Sequence, residues 1–403
     1  MFYYFSKPHL GMVEILDHTV VPLDRNNYLC SVMERNRIEV LAKMYEWAIE
    51  RAGHTVGEFL EAHPKFAAYV SGEKQPTIKQ LEQFVKSVHV PIAYLLLPEP
   101  PKEVSPIPMF RGKAGKGKFD LNVYQTILDV QGKQEWLSDY LAENELEECP
   151  FVGKYDISVP VQDMAVIIRN YLGMEIDWML QFRSPDKAVN FFVEKIESAG
   201  ICVFSNGVVG NNSHRPLSVD ECRGFALVSD TNAPMIFVNN RDSKTAQMFT
   251  LAHELTHVLV GVSAGYAGID GDYQDRVETY CDKVAAEFIV PAILLNENWT
   301  SIEDCAKRFN VSRLVIARRT HDLGLITDTE YRTFFLRYKA SLTDNKIQSS
   351  GGDFYRTSAK RVGKLFAAYI YSAVRSEQLS YTEAYRLTGL YGRTFEKFMT
   401  DKI

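Results

Sequence analysis

Apolar residues recur at helical spacing in the N-terminal quarter of the chain. One stripe covers 38–49, and three shorter stripes follow at 56–60, 66–70 and 78–88, with glycine or proline residues between them. Apolar positions three and four residues apart lie on one face of a helix and predict a buried stripe. Several short helices joined by tight turns predict a helix-turn-helix-like bundle in this part of the chain.

The pattern changes near residue 200. Three short runs rich in β-branched and aromatic residues, at 201–205, 223–228 and 235–239, predict strands. Long helical patterns follow at 243–261 and about 275–290, and the rest of the chain is mostly helical. The predicted fold class is therefore α+β, a mainly helical multidomain chain with a small β-sheet.

Changes in pattern and composition divide the chain into predicted domains. Residues 1–32 show no sustained period and are set apart as an N-terminal extension. A stretch rich in proline, glycine and lysine, with four basic residues in 111–118, predicts a linker. The predicted domains are the extension at 1–32, a helix-turn-helix-like module at 33–100, a linker and helix at 101–159, a domain with the sheet at 160–295, and a C-terminal helical domain at 296–403.

Composition excludes several classes of protein. The 403 residues include 51 acidic and 45 basic side chains, and the net charge of −6 argues against a chain that coats nucleic acid. No run of about 18 apolar residues is present, so we expect no membrane-spanning helix. The six cysteines lie far apart without a Cys-x-x-Cys pair, and the N-terminus lacks the apolar run of a secretory signal. Reduced thiols and a cytoplasmic protein are expected.

The most specific chemical signal is the sequence His-Glu-Leu-Thr-His at 253–257. Histidines four residues apart lie on one face of an α-helix, so the imidazoles of His253 and His257 can bind one cation. The carboxylate of Glu254 lies near the same face, where it can act as general base on a water that the metal activates. The motif predicts a Zn²⁺ site in a metallopeptidase. The alternative is two ordinary histidines on a helix.

A third metal ligand is expected from the next predicted helix, because catalytic zinc sites commonly use three protein ligands and one water. Glu278 lies 21 residues after His257 and is the candidate, and Asp282 lies one turn further on the same face. Asp282 is predicted to orient a ligand histidine through its second ring nitrogen. Two alternatives stay open: Glu278 returns a capping-box hydrogen bond to Asp275, or both acidic side chains are solvated surface charges.

Four further side chains are candidates for contacts with a transition state or substrate, because water attack on an amide requires a donor where negative charge develops. They are His214, Arg223, Tyr266 and Tyr273. For each of them an ordinary structural role is the alternative. Cys281 neighbours the predicted site, and we expect it to be a buried thiol rather than a ligand.

Two of these segments resemble a known family. Residues 223–261, which include FTLAHELTH, and residues 278–291, ETYCDKVAAEFIVP, are similar to the ImmA/IrrE zinc metallopeptidases. In that family a strand, the helix with this motif and a following helix form the metal site. The resemblance implies a zincin-like metallopeptidase domain in which Glu254 is the catalytic glutamate. It implies three zinc ligands, namely His253, His257 and Glu278.

Other segments resemble parts that are fused to this peptidase. The stretch from 48 to 101, which includes SGEKQPT and LLLPEPP, is similar to Xre-type helix-turn-helix modules, and 306–326 is similar to the helical tail of these fusions. Family members with known roles act on or beside transcriptional repressors of phage, mobile-element or stress-response genes. Xre–peptidase fusions are also found as suspected antitoxins beside toxin genes. The resemblance therefore implies a protein partner, either a repressor or a toxin.

The sequence supports two hypotheses of function. The first is a zinc-dependent endopeptidase that acts in regulatory proteolysis of a transcriptional repressor or similar regulator. The alternative is a non-proteolytic antitoxin or transcriptional regulator of a toxin–antitoxin or phage/mobile-element module, which binds a protein partner or operator DNA. DNA binding has thin support, since residues 33–80 carry seven basic and seven acidic side chains. A homodimer is the assembly left open.

Overall fold

The structure is a computed structural model that describes residues 37–101, 120–146, 149–228, 233–263, 271–342 and 354–402. The chain forms two compact units, an N-terminal unit of Met1–Glu103 and a C-terminal unit of Val104–Ile403. The predicted extension at 1–32 and the basic run at 111–118 lie outside the described residues. The finer domain boundaries stay predictions.

The N-terminal unit contains a bundle of short helices, as the spacing of its apolar residues predicts. The side chains of Thr55 and Thr77 start two of the helices, and each forms a capping box with the residue three positions on. Buried aromatic rings pack at its centre, where Tyr45 and Phe84 meet edge to face with ring centroids 4.8 Å apart. The Xre-type identity of this bundle stays a prediction. Its elements are α1 (Ala42–Arg51), α2 (Val56–Ala62), α3 (Ala67–Val70), α4 (Ile78–Val88) and α5 (Ile92–Leu95), with a 3₁₀ turn at Pro64–Phe66.

The C-terminal unit contains a three-stranded sheet at the positions that the sequence predicts. Its order is β1 (Cys202–Asn206), β5 (Met235–Asn239) and β4 (Gly224–Leu227). Strands β1 and β5 are parallel, whereas β5 and β4 are antiparallel. Every residue of the three strands is buried. The sheet is therefore covered on both faces, which explains why the strands read as continuous apolar runs.

A second, two-stranded sheet was not predicted. It consists of β2 (Val208–Val209) and β3 (Asn212–Pro216), which pair antiparallel with a register shift between the two residues of β2. Apart from Pro216, the residues of β3 are polar, and the strand is mostly exposed. A strand without an apolar face has no period-2 pattern for sequence reasoning to detect.

Alternating side chains of the central sheet contact two different helical layers. Val203 of β1 packs in a cluster with the helices in 161–198 and 244–289, whereas the next residue, Phe204, packs in a second cluster with the helices in 121–143 and 354–402. The fold is thus α+β and mainly helical, as predicted.

None of the described helices has the length and apolar content needed to cross a membrane. The helices are α6 (Leu121–Glu143), α7 (Val161–Leu172), α8 (Pro185–Ser198), α9 (Lys244–Val260), α10 (Gly271–Ile289), α11 (Ala292–Asn298), α12 (Ile302–Arg308), α13 (Arg313–Asp322), α14 (Asp328–Leu342), α15 (Phe354–Val362), α16 (Lys364–Arg375), α17 (Tyr381–Thr388) and α18 (Gly392–Lys402), with a 3₁₀ turn at Trp178–Gln181.

Helix α9 carries the His-Glu-Leu-Thr-His sequence and has a defined start and end. At its start the Ser243 hydroxyl accepts a hydrogen bond of 3.2 Å from the Ala246 N–H. Gly261 ends the helix with a φ of +75°, and a Cβ there would lie 2.6 Å from Gly153 Cα. The close approach lets the Gly153 N–H donate to the Val258 carbonyl at 3.0 Å. The helix end next to the two histidines is therefore packed against the preceding chain.

Gly363 joins α15 to α16 in a position that favours glycine. Its φ is +76°, and a Cβ there would lie 2.7 Å from the carbonyl oxygen of Val203 on β1. We expect Gly363→Ala to lower the free energy of unfolding by about 2–3 kcal/mol, because a clash with a buried strand adds to backbone strain. Gly324→Ala is the matched control, since Gly324 has a φ of +70° and no atom within 4 Å of such a Cβ. The control should lose only about 1 kcal/mol. Urea denaturation measures both losses, and equal losses would contradict the clash.

Candidate metal centre

Helix α9 presents the two motif histidines one turn apart. The Nε2 atoms of His253 and His257 lie 3.2 Å apart. Helix α10 packs against α9 and brings Glu278 to the same place, with its Oε2 3.3 Å from His253 Nε2 and its Oε1 3.5 Å from His257 Nε2. One potential ligand atom from each of the three residues lies within 4.8 Å of the others. The structure therefore brings together the three residues that the sequence named, and their role as metal ligands stays a prediction.

The second ring nitrogen of each histidine faces an oxygen. His253 Nδ1 lies 3.1 Å from Asp282 Oδ1, and His257 Nδ1 lies 3.1 Å from the backbone carbonyl of Val262. An oxygen at this position accepts the Nδ1–H and fixes the ring orientation. The Nε2 lone pairs of both histidines are then free to face the Glu278 carboxylate.

The start of helix α10 and its contacts test the two alternatives for Glu278 and Asp282, a capping box and solvated surface charges. The helix begins at Gly271, so Asp275 lies inside the helix and not at its cap. The capping-box alternative for Glu278 is therefore wrong. Both Glu278 and Asp282 contact a histidine, and 27% and 39% of their side-chain surfaces are exposed. They are partly buried partners of the imidazoles rather than solvated surface charges.

The electrostatics of the centre favour a positive charge. Burial opposes protonation of His253, but hydrogen bonds with Asp282 and Glu278 outweigh it and raise the pKa of His253 to about 10. Burial likewise opposes ionisation of Glu278, and the hydrogen bonds with His253 and His257 prevail and lower its pKa below the usual range. A proton on His253 thus places a positive charge between the carboxylates of Asp282 and Glu278. A divalent cation would replace that proton, because metal ligands bind in their deprotonated form.

The carboxylate of Glu254 lies next to strand β4 of the sheet. It accepts a hydrogen bond from the Ala226 N–H of β4. Gly224 on the same strand makes room for the helix, since a Cβ there would lie 2.4 Å from Thr250 Cγ2 and 3.6 Å from Glu254 Cγ. Burial raises the pKa of Glu254 despite the two nearby histidines. The residue is only 5% exposed, and its Oε2 is buried without a hydrogen-bond partner among the described residues.

These features fit a site for a metal ion. Two imidazoles and one carboxylate are the donor set of known three-ligand zinc sites. Buried polar atoms in native proteins usually have a partner, and the unpartnered Oε2 of Glu254 therefore has capacity to accept a hydrogen bond from a water. Within the described parts of the chain, the group of potential ligands holds three residues and no fourth.

Sequence reasoning missed the backbone groups that support the centre, namely the Ala226 N–H and the Val262 carbonyl. Every residue type carries these groups, so they leave no signal in the sequence. It also missed Gly224, for which a signal existed. A glycine inside a strand often marks a place where another part of the chain approaches closely.

The structure describes the side chains of two of the other four predicted contact residues, Arg223 and His214, and brings neither of them to the cluster. Arg223 forms an ion pair of 3.0 Å with Asp242, and 58% of its side-chain surface is exposed. His214 lies exposed on β3, in the separate two-stranded sheet. Tyr266 lies outside the described residues, and Tyr273 lies in α10 with its side chain outside the description. Their roles toward substrate stay predictions. Cys281, next to the candidate site in the sequence, is fully buried, as predicted.

We expect Asp282→Asn to weaken zinc binding by about 10-fold to 100-fold, with one zinc per chain still bound at saturation. The amide of asparagine is a weaker acceptor for the His253 Nδ1–H than a carboxylate, so the ligand is less firmly oriented and less basic. Competition titration with a chromophoric chelator measures the affinity. Asp275→Asn on the exposed surface of the same helix is the matched control. Equal affinities for wild type and Asp282→Asn would exclude the orienting role.

Comparison with known protein families places these residues in a recognised segment. Residues 197–321 match the family model described as IrrE N-terminal-like domain, Peptidase_M78. Residues 362–401 match a domain of unknown function, DUF8813. No curated protein matches the chain. The first match supports a metallopeptidase type of domain, and it includes β1, β4, β5, α9 and α10. All the residues of the candidate metal centre lie inside the segment that matches the IrrE N-terminal-like domain.

Proposed function

We propose that this chain is a zinc-dependent endopeptidase that acts in the regulatory proteolysis of a transcriptional repressor or similar regulator. The observation that carries the proposal is the convergence of His253 Nε2, His257 Nε2 and the Glu278 carboxylate. Each histidine is oriented through its other nitrogen, and Glu254 is the residue next to His253 on the same helix. The match to an M78-type peptidase domain supports the same reaction class.

In the proposed reaction the three clustered side chains hold the zinc ion. When bound, zinc would polarise the scissile carbonyl and make a water molecule more acidic. Glu254 takes a proton from the attacking water on its unpartnered Oε2 and then delivers it to the leaving amine nitrogen. The Ala226 N–H holds the same carboxylate in place during both transfers. A raised pKa of Glu254 suits this role, because the group must both accept and return a proton.

A peptide substrate would bind in an extended form beside β4. Among the described strands, β4 has a neighbour on one side only, and an open strand edge offers N–H and carbonyl groups to an added strand. The same strand contacts Glu254 through Ala226. A peptide added at this edge would therefore lie next to the proposed general base.

The choice of a repressor as substrate rests on the family resemblance, and operator binding by 33–100 stays a prediction. The competing hypothesis is a regulator that binds its partner without cutting it. A structural zinc site has four protein ligands, whereas a catalytic site keeps one position for water. The three-residue group of potential ligands in the described chain favours the enzyme.

Mass-spectrometric labelling of protein N-termini tests the proposed function. The wild-type chain and a Glu254→Gln variant are produced at equal levels in the same cells. We expect new N-termini from one or a few regulatory proteins with the wild type and none with the variant. Identical N-terminus profiles, from two samples with equal zinc content, would favour the non-proteolytic alternative.

A further inference from the structure

The backbone of β4 presents alternate residues to its open edge. The Asn239 N–H of β5 donates to the Arg223 carbonyl at 2.8 Å. In an antiparallel pair this bond places every second residue toward the partner strand, here Arg223, Phe225 and Leu227. The N–H and carbonyl groups of Gly224, Ala226 and Val228 therefore face outward.

Some of these outward groups are already bonded within the chain. The Ala226 N–H donates to the Glu254 carboxylate. The Ser263 hydroxyl bonds to both outward groups of Val228: it accepts from the Val228 N–H at 2.8 Å and donates to the Val228 carbonyl. One side chain thus makes the two bonds that a residue of an added strand would make.

The outward groups that remain lie at the other end of the strand. In the described part of the chain the Gly224 N–H and the Ala226 carbonyl have no hydrogen-bond partner, and the Gly224 carbonyl has only a 4.0 Å contact from Cys222 Sγ. These groups lie beside Thr250 and Glu254 of α9. The open part of the edge is therefore short and adjacent to the proposed general base.

We infer that Ser263 ends the substrate-binding edge of β4, so that a bound peptide pairs with Gly224 and with the Ala226 carbonyl and leaves the strand before Val228. This inference rests on the proposed function. Strand pairing can slip only in steps of two residues if the side chains are to keep their faces. A slip toward Val228 would have to break both bonds of Ser263, so the hydroxyl opposes that register. Ser263 is thus a positioning residue that sets which peptide bond lies beside Glu254.

Ser263 directly follows residues that contact the candidate metal centre and the preceding chain. It follows Val262, whose carbonyl holds His257 Nδ1, and Gly261, which packs on Gly153. The segment that ends the edge is the one that orients a predicted zinc ligand. A substrate suited to this edge has a short extended segment of a few residues, as in an exposed loop, rather than a long strand.

Peptide hydroxamates of increasing length test the inference on the zinc-loaded, full-length protein. A hydroxamate group binds the metal, and tails of one to five alanine or valine residues extend from it, in separate series for the two chain directions. We expect the affinity of the wild type to stop rising after about two residues in the series that runs toward Val228. In Ser263→Ala it should rise further, by about threefold to tenfold for the next residue pair. Ser263→Thr, which keeps the hydroxyl, is the matched control and should behave as the wild type.

Each outcome of this experiment is decisive. A wild-type affinity that keeps rising through five residues in both series would overturn the role of Ser263, and this result needs no variant to fold. Equal length dependence in Ser263→Ala and wild type, with equal zinc content, would overturn it as well. Failure of every hydroxamate to bind zinc-loaded wild type would instead overturn the proposed metal centre, and the inference would fall with it.

Discussion

Glu254→Gln is expected to lower the rate of peptide cleavage by about 10³-fold while zinc binding is retained. The glutamine side chain has nearly the same size and can still accept the Ala226 N–H through its amide oxygen. It cannot take a proton from water at neutral pH, however, so the proposed proton transfer is lost. The three clustered residues around the metal are untouched, which is why zinc content should stay at one per chain.

The measurement is steady-state cleavage of a substrate found by N-terminus labelling, together with the zinc content of the dialysed proteins. Glu297→Gln is the matched control, since Glu297 lies exposed on α11 outside the site. It should retain wild-type activity and zinc. A zinc-loaded, folded Glu254→Gln protein that cleaves within about tenfold of wild type would remove Glu254 from the mechanism.

Glu278→Gln is expected to abolish stable metal binding. The Glu278 carboxylate is the group that contacts both Nε2 atoms, and an amide in its place carries no negative charge to offset that of a divalent ion. After dialysis, zinc should fall from about one equivalent per chain to near zero. Cleavage should be lost together with the metal, and the rise in Tm on adding zinc to the wild type should disappear.

Metal analysis and thermal unfolding with and without zinc measure this effect. Asp282→Asn serves as an internal comparison, because it alters the same helix and should only weaken binding. The two Glu variants then separate two roles, since Glu254→Gln keeps the metal and Glu278→Gln loses it. A Glu278→Gln protein that retains one zinc through dialysis would assign the third ligand to another residue.

Much of the local structure could be predicted from the sequence. Helix α9 begins after the capping residue Ser243 and ends at Gly261. Serine is preferred at the start of helices and glycine at their ends, so both limits could be predicted. The buried strands were visible as short apolar runs. Prediction was poorer where the pattern was weak. The polar strand β3 gives no apolar pattern and was missed. Asp275 is a possible capping residue, but helix α10 starts four residues before it. A capping signal is local and does not exclude an earlier start.

The residue chemistry of the candidate site also came from the sequence. Two histidines four positions apart must share a face once the segment is helical, and Glu254 is carried along between them. The place of Glu278 was harder to predict, because a span of 21 residues allows many arrangements of two helices. Its place on the next predicted helix made Glu278 a candidate with two alternatives open, and the family resemblance implied the same residue. The packing of α10 on α9 brings its carboxylate to the histidines.

The sequence by itself determined which side chains carry the chemistry, because helical spacing is a property of consecutive residues. Only the tertiary structure decided what holds them. The partners of Glu254, His257 and Val228 are the Ala226 N–H, the Val262 carbonyl and the Ser263 hydroxyl. Two of these partners are backbone groups, and Ser263 is an ordinary polar residue 35 positions from Val228. Such pairings depend on how strand β4 and the end of α9 meet in space, and no local pattern encodes that meeting.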